Sequence, residues 1–240
     1  MSIPEFSEAT FSGRVRLFPL PDLVMFPHVV RPLHIFEPRY QQLLQHTLAD
    51  DQLIGMAMLA PGWEALYEGR PPLHSAACLC GISAFHRFED GTYNLLIHGL
   101  RRIKLVHELP PSAMYREAEV ALVEDSHKLL FKGEADLLRI KLVTLFQQVI
   151  LPIQIQKISP QTGEPEVGGA SAFNDLLQKD LPLGALTDVL AYALDLPLYI
   201  KQLLLSLANV GGRAKLLIDY LATLSPAQPA RNFPPEFSIN

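Results

Sequence analysis

Hydrophobic and polar residues alternate with a period of two along much of the first 123 positions, and with a period near 3.6 beyond them. Val15 and Leu17 alternate with Arg14 and Arg16, as in a half-buried strand. From Phe18 the chain places Pro19, Pro21, Pro27, Pro32 and Pro38 among large apolar residues. Each proline fixes its own φ and turns the preceding residue away from helix, so the stretch predicts one extended segment threading a core. Pro38 suits a first helical position, and Tyr40, Leu43, Leu44, Thr47 and Leu48 then recur at the spacing of one buried face, which predicts a helix over 37–49.

The apolar run 53–59 has strand length and fits burial on both faces. Positions 76–86 read as another strand, with Gly81 a bulge or a point of close approach. Asp90-Gly91 predicts a two-residue type I′ hairpin, which needs positive φ at both positions. Tyr93, Leu95 and Ile97 alternate with Asn94 and His98, and the same parity resumes at Ile103 and Leu105, so one long strand is expected to bend at Gly99. Arg116 to Leu122 alternate as a last strand. About six strands and one helix predict a small closed or nearly closed sheet.

From 124 the period becomes helical. Leu130, Ala135, Leu138, Leu142, Leu145, Phe146 and Val149 define a helix expected to stop at Pro152. A Pro-, Gly- and Glu-rich loop over 159–169 precedes short helices at 171–179, 185–193 and 198–207. A final helix over 210–224 has Asn209 as its N-cap. The expected organisation is a β part over 1–123, a helical subdomain over 124–225 and a Pro-rich tail over 226–240.

The string FPLPDLVMFPHVVRPLHIFEPRY resembles the signature of the Lon N-terminal domain family, the substrate-recognition domain at the front of ATP-dependent Lon proteases. The usual pattern has Gly after the second Phe-Pro, where this chain has His28. DGTYNLLIHGLRRIKL followed by YREAEV resembles the later hairpin of that family, with Gly99, Arg101, Arg102, Tyr115 and Arg116 on the pattern. DVLAYALDLPLYIKQLLLSLANVGGRAKLLIDYL is similar to its helical portion. The resemblance implies an α+β fold: a PUA-like β pseudo-barrel with one helix, followed by an all-helical subdomain.

Charge and composition narrow the function classes. The 240 residues include 20 Lys plus Arg against 25 Asp plus Glu, for a net charge of -5, which opposes nucleic-acid binding driven by counterion release. The start lacks a basic, then apolar leader, no apolar run reaches membrane-helix length, and two cysteines two residues apart make no secreted disulfide framework; a cytoplasmic protein is expected. Cys78 and Cys80, with His74 and His86, lack the paired spacing of a structural zinc site and read as buried thiols. His34 reads as a core-edge residue bonded to backbone. Arg101, Arg102 and Lys104 read as a solvated strand face rather than an RNA-binding strip.

Neither a GxxxxGK[ST] phosphate loop nor a Ser-Lys protease module is present. The resemblance therefore implies a stand-alone, non-catalytic polypeptide-binding protein that needs no cofactor. Its partners would be unfolded or specific polypeptides and a protease or chaperone machine. An RNA-binding PUA-like module, or a small-molecule site or enzyme not visible in sequence, are the alternatives. Trp63, Leu66 and Tyr67, large side chains in a loop with polar punctuation on both sides, are the candidate anchors for a bound chain.

Overall fold

The computed structural model describes residues 6–66, 69–128, 133–155 and 181–224. Six strands form one mixed sheet: β1 (Arg14–Leu20), β2 (Val30–Ile35), β3 (Leu53–Met58), β4 (Ala76–Arg87), β5 (Tyr93–Glu108) and β6 (Arg116–Val123). They lie in the order β2-β5-β4-β3-β1-β6, and β5 also pairs with β6. Strands β5, β4, β3, β1 and β6 thus close a ring, and β2 extends the sheet outside it. This is the α+β barrel architecture expected above. The β1–β3 pair is parallel, so a crossover must join them, and it contains α1 (Pro38–Leu48). One buried cluster takes alternate residues of the ring strands: Val15, Leu17, Ala57, Ala77, Leu79, Ile103, Ala118 and Val120.

The proline-rich stretch is two strands rather than one extended segment. β1 ends at Leu20, and a loop burying Val24, Met25, Phe26, Pro27 and Val29 leads into β2. The loop presses on β5: His28 N donates to Gly99 O at 2.9 Å, and Gly99 N donates to Val29 O at 2.8 Å. A Cβ on Gly99 would collide with the carbonyl of Phe26, so the glycine is required by close approach of two backbones. His28 itself has φ 66, in the left-handed region that usually favours glycine. The helix is built as the pattern predicts, with Pro38 in its first turn and Tyr40, Leu43, Leu44 and Thr47 buried. Tyr40 stacks on Phe18 at 4.0 Å between ring centroids and donates its hydroxyl to Pro19 O at 2.9 Å, which ties the helix to β1.

β5 serves two neighbours in turn. Residues 93–98 pair with β2, residues 102–108 pair with β6, and β4 lies along both stretches. Ile97 pairs with Ile82 and Ile103 with Ala77, six residues along β5 against five along β4. One extra residue therefore lies at Leu100, and the unbroken parity noted in the sequence places Ile97 and Ile103 on opposite faces. At Gly81 the ring of His98 sits where a Cβ would stand, as a close-approach glycine requires. The 90–91 hairpin differs from the expected type I′ turn. Gly91 has φ 85, but Asp90 is not among the residues with positive φ. Gly91 N donates to Phe88 O at 3.1 Å and Phe88 N to Thr92 O at 2.9 Å, while Asp90 accepts from Thr92 N at 2.9 Å. This is a three-residue loop with its left-handed residue last, held by the aspartate side chain.

The helices beyond the ring are α2 (Glu134–Ile155), α3 (Leu183–Ala193), α4 (Leu198–Ser206) and α5 (Val210–Leu224). Helix α2 continues three residues past Pro152, which was expected to end it; a proline removes one donor and need not stop a helix. Asn209 caps α5 as predicted, accepting from Gly212 N at 2.7 Å. The expected helix over 171–179 and the tail over 226–240 lie outside the described residues.

The chain divides into two compact units, one of residues 1–129 with 181–213, the other of 130–180 with 214–240. The division cuts across the expected helical subdomain, because α3 and α4 belong with the ring. In that first unit Gln202 of α4 donates to Ala76 O of β4 at 2.7 Å. In the second, α2 buries Leu142, Phe146 and Val149, the later turns of α5 bury Leu217, Ile218 and Leu221, and Lys215 pairs with Glu134 at 2.6 Å.

A charge cluster lies within the first unit. Arg102, Asp188 and Arg213 are all buried. Arg102 grips Asp188 with both terminal nitrogens, one at 2.8 Å to Oδ2, and donates Nε to Leu205 O at 3.2 Å. Arg213 grips Asp125 at 2.7 and 2.6 Å, and its Nε lies 3.7 Å from Asp188 Oδ1. Two guanidiniums thus meet two carboxylates. Burial opposes ionisation of the Asp125 carboxyl, but the Arg213 hydrogen bonds outweigh it and hold the carboxyl below its usual range. Arg102 is therefore not part of a solvated strand face. It is spent on joining β5 to α3.

Candidate functional site

Among the described residues of the first unit, one face of the β2–β5–β4 sheet is uncovered. Across it Pro32 pairs with Leu96 and Leu96 with Ala84; His34 pairs with Asn94 and Asn94 with His86. Phe36 follows β2 and Phe88 follows β4 at the same end. Relative exposure is 55% at Val30, 64% at Phe36, 38% at Phe88 and 37% at Leu96, an unusual concentration of large apolar side chains on an open surface. The aromatic groups touch one another: ring centroids of His34 and Phe36 lie 6.3 Å apart, His34 and Phe88 6.4 Å, His86 and Phe88 4.7 Å. His34 Nδ1 lies 2.8 Å from Asn94 Oδ1. The expected core-edge role of His34 is thus corrected. It is exposed, and it bonds to a neighbouring side chain rather than to backbone. The face was hidden in the sequence because the stretch reads as uniformly apolar, yet Val30, Pro32, His34 and Phe36 occupy alternate positions, the period-two signal of a strand with two different faces.

The second candidate surface is the loop after β3. Its base is closed by Ala60 N donating to Pro72 O at 2.8 Å and by an isolated bridge between Leu59 and Leu73. Within it Glu64–Leu66 form a 3-10 turn. Leu66 is 53% exposed, Trp63 is half-buried, and Tyr67 lies outside the described residues. The returning limb brings Gly69 and Arg70 to a cavity of about 250 Å³ that Pro19, Arg39, Tyr40, Met114 and Arg116 also line.

Arginine dominates that cavity. Arg70 donates Nε to Glu108 Oε1 at 2.9 Å, and its Nη2 both contacts the same oxygen and donates to Leu109 O at 3.0 Å. Arg116 donates Nε to Glu108 Oε1 at 2.8 Å, Nη2 to Oε2 at 2.6 Å and Nη1 to Pro71 O at 2.8 Å. Arg39 pairs with Glu37 at 2.7 Å and lies 4.7 Å from the Tyr40 ring centroid. Burial would raise the Glu108 carboxyl, but its bonds to Arg116 and Arg70 prevail and hold it below the ordinary carboxylate range.

The other sequence candidates are distributed elsewhere. Cys78 and Cys80 are both free and buried, and burial pushes the Cys80 thiol well up. Among the described residues no group of three or more His, Cys, Asp or Glu side chains is placed to hold a metal ion, and no helix is long and apolar enough to cross a membrane. Arg101 is exposed and pairs with Glu8 at 2.9 Å, with its guanidinium 5.6 Å from the Phe6 ring centroid.

Comparison with known proteins places these features in context. The family profile of the ATP-dependent protease La (LON) substrate-binding domain matches residues 14–223. Lon protease 2 of Myxococcus xanthus is 27% identical over 205 residues, which cover 85% of this chain and 23% of that protein. Lon protease 1 of Bdellovibrio bacteriovorus is 25% identical over 213 residues, covering 89% of this chain and 25% of that protein. The chain thus spans about a quarter of the length of these relatives. Among solved structures, the N-terminal domain of Mycobacterium avium complex Lon protease superposes with a TM-score of 0.63 at 18% identity, covering 87% of this chain and 98% of that one. The Lon N-terminal domain protein from Xanthomonas campestris gives 0.59 at 21% identity, covering 86% and 98%.

Proposed function

Since the chain belongs to the family of Lon substrate-binding domains, we propose that it captures polypeptides, holding exposed apolar segments of unfolded chains by the uncovered face of β2, β5 and β4 and performing no chemistry on them. The observation that carries this reading is the exposed group Val30, Phe36, Phe88 and Leu96 on a rigid sheet. Aromatic and aliphatic side chains held out from a sheet give large contact area at small entropic cost, as binding anchors do. The neighbouring edge of β2 supports the same reading, since β2 pairs only with β5 among the described strands and an extended chain can lie along such an edge. Within this proposal the loop carrying Trp63, Leu66 and Tyr67 is an additional anchor, and a protease or chaperone machine is the partner that receives the captured chain.

The test is fluorescence anisotropy with a reduced, carboxymethylated, permanently unfolded polypeptide at low and high salt. Apolar capture predicts affinity that changes little with salt, whereas nucleic-acid-like electrostatic binding falls steeply. Phe36→Asp places a charge at the aromatic end of the face and should weaken binding by about 2 kcal/mol, on the order of 30-fold. Trp63→Ala, run beside it, measures the share of the loop. Absence of binding, or full affinity in Phe36→Asp, would overturn the assignment to this face.

A further inference from the structure

We infer that the arginine-lined cavity beside the 60–72 loop takes the free C-terminal carboxylate of a bound chain whose last residue is apolar. This rests on the polypeptide-binding reading and adds to it a preference for chain ends.

Charge is the first argument. Among the described residues the lining holds Arg39, Arg70 and Arg116 and no carboxylate. Among the described residues the carboxylates paired with these arginines are Glu37 and Glu108, two negative charges for three positive ones. Glu108 is already engaged on both oxygens: Oε1 receives Nε of Arg70 and of Arg116, and Oε2 receives Arg116 Nη2. Nη1 of Arg70 makes no hydrogen bond among the described residues. One more carboxylate balances the group and finds donors suited to it. The first turn of α1 contributes in the same sense. Arg39 and Tyr40 are its second and third residues, Glu37 gives no side-chain cap, and a helix start carries partial positive charge.

Shape is the second argument. Pro19, Tyr40 and Met114 make much of the remaining wall, and the cavity of about 250 Å³ is smaller than the ~300–1,000 Å³ of sites for drug-sized ligands. It suits one residue, not an extended segment. A terminal residue brings an apolar side chain and a single negative charge on the same carbon, and both match the wall. A phosphate would bring more charge than the one excess positive group balances and nothing for the apolar side.

The test uses two fluorescent decapeptides of one sequence ending in Leu, one with a free C-terminal carboxylate and one with an amide. The free acid should bind at least ~10-fold more tightly, one charge-assisted pair being worth that much. Arg70→Gln, at a half-exposed position, should bring the acid down to the affinity of the amide and leave the amide unchanged, whereas Met114→Glu, at an exposed position of the apolar wall, should weaken both peptides and the acid more than the amide. N-acetyl-leucine should displace the acid and inorganic phosphate should not. Equal affinity of acid and amide, or displacement by phosphate as effective as by N-acetyl-leucine, overturns the carboxylate pocket. Failure of both decapeptides while the unfolded polypeptide still binds also overturns it and leaves the wider reading in place. Failure of all three overturns both. Circular dichroism of the two variants separates lost recognition from lost fold.

Discussion

Replacing Asp188 with Asn tests how the first unit is held together. The substitution keeps the shape of the side chain and removes its charge, leaving the buried Arg102 and Arg213 to share Asp125. Arg102 loses its two-pronged carboxylate partner, and the nearest remaining one, Asp125 Oδ1, is 3.6 Å away. Breaking a buried ion pair from one side costs about 3–5 kcal/mol, because an uncompensated charge stays inside. With an m-value of about 2–3 kcal/mol/M, the urea midpoint should fall by about 1–2.5 M. Trp63, the single tryptophan, lies in the same unit and reports its unfolding by fluorescence. The cycle is completed by Arg102→Leu, Asp188→Leu and the double variant. Each single change strands a charge, whereas the double change removes both and leaves Arg213 with Asp125. The double variant should therefore recover at least ~2 kcal/mol relative to the sum of the singles. Additive losses, or single losses under about 1 kcal/mol, would refute the claim that this pair fastens α3 to the ring.

Gly99→Ala should cost about 3 kcal/mol or more, read by urea unfolding, because the added carbon meets the backbone at Phe26 rather than a side chain that could turn aside. His28→Gly should instead stabilise by about 0.5–1 kcal/mol in the same assay, the relief of a left-handed φ exceeding the entropy that glycine loses on folding. Stability should fall on acidification in two windows. Burial lowers the native affinity of His98 for a proton, so its contribution is complete above its ordinary value of about 6.5 and declines as pH drops through the native value. Glu108 and Asp125, whose carboxyls are held low, contribute fully above about pH 4.5 and lose that contribution as pH falls further. His98→Gln should flatten the first window and leave the second, as followed by the urea midpoint against pH. Asn209→Ala should cost about 1 kcal/mol by removing the side chain that accepts from Gly212 N, measured by the shift of the thermal midpoint.

The pattern of the chain announces its elements more clearly than their partners. The four strands β3 to β6, the Pro38 helix and the Asn209 cap follow from local chemistry that acts within a few residues, whereas the break between β1 and β2 does not. The parallel pairing of β1 with β3 and the closure of β5 on β6 depend on contacts between distant strands, and no local signal encodes them. Arg102 was misread for a related reason. On a strand facing water an arginine at an alternate position is ordinary, and its burial follows from Asp188, 86 residues away. The extra residue at Leu100 was invisible because apolar parity runs unbroken across it. The exposed face at Val30 to Phe36 was legible as an alternation, but prolines and large apolar side chains on both faces hid which side met water. The arginine cavity assembles α1, the 60–72 loop and β6, and nothing in any one of those segments marks it.

A closed ring of strands has no rim on which another copy can stack, so the open side of β2 is where self-templating would begin among the described strands. Pro32 sits in the middle of that strand. A proline offers no donor to an incoming strand, so a guest can register over part of the edge and cannot extend a ladder through it. Under the proposed capture of polypeptides, this makes the edge a berth with a fixed length. A visitor can moor there and leave, but a growing stack of strands finds its seam interrupted at the first layer.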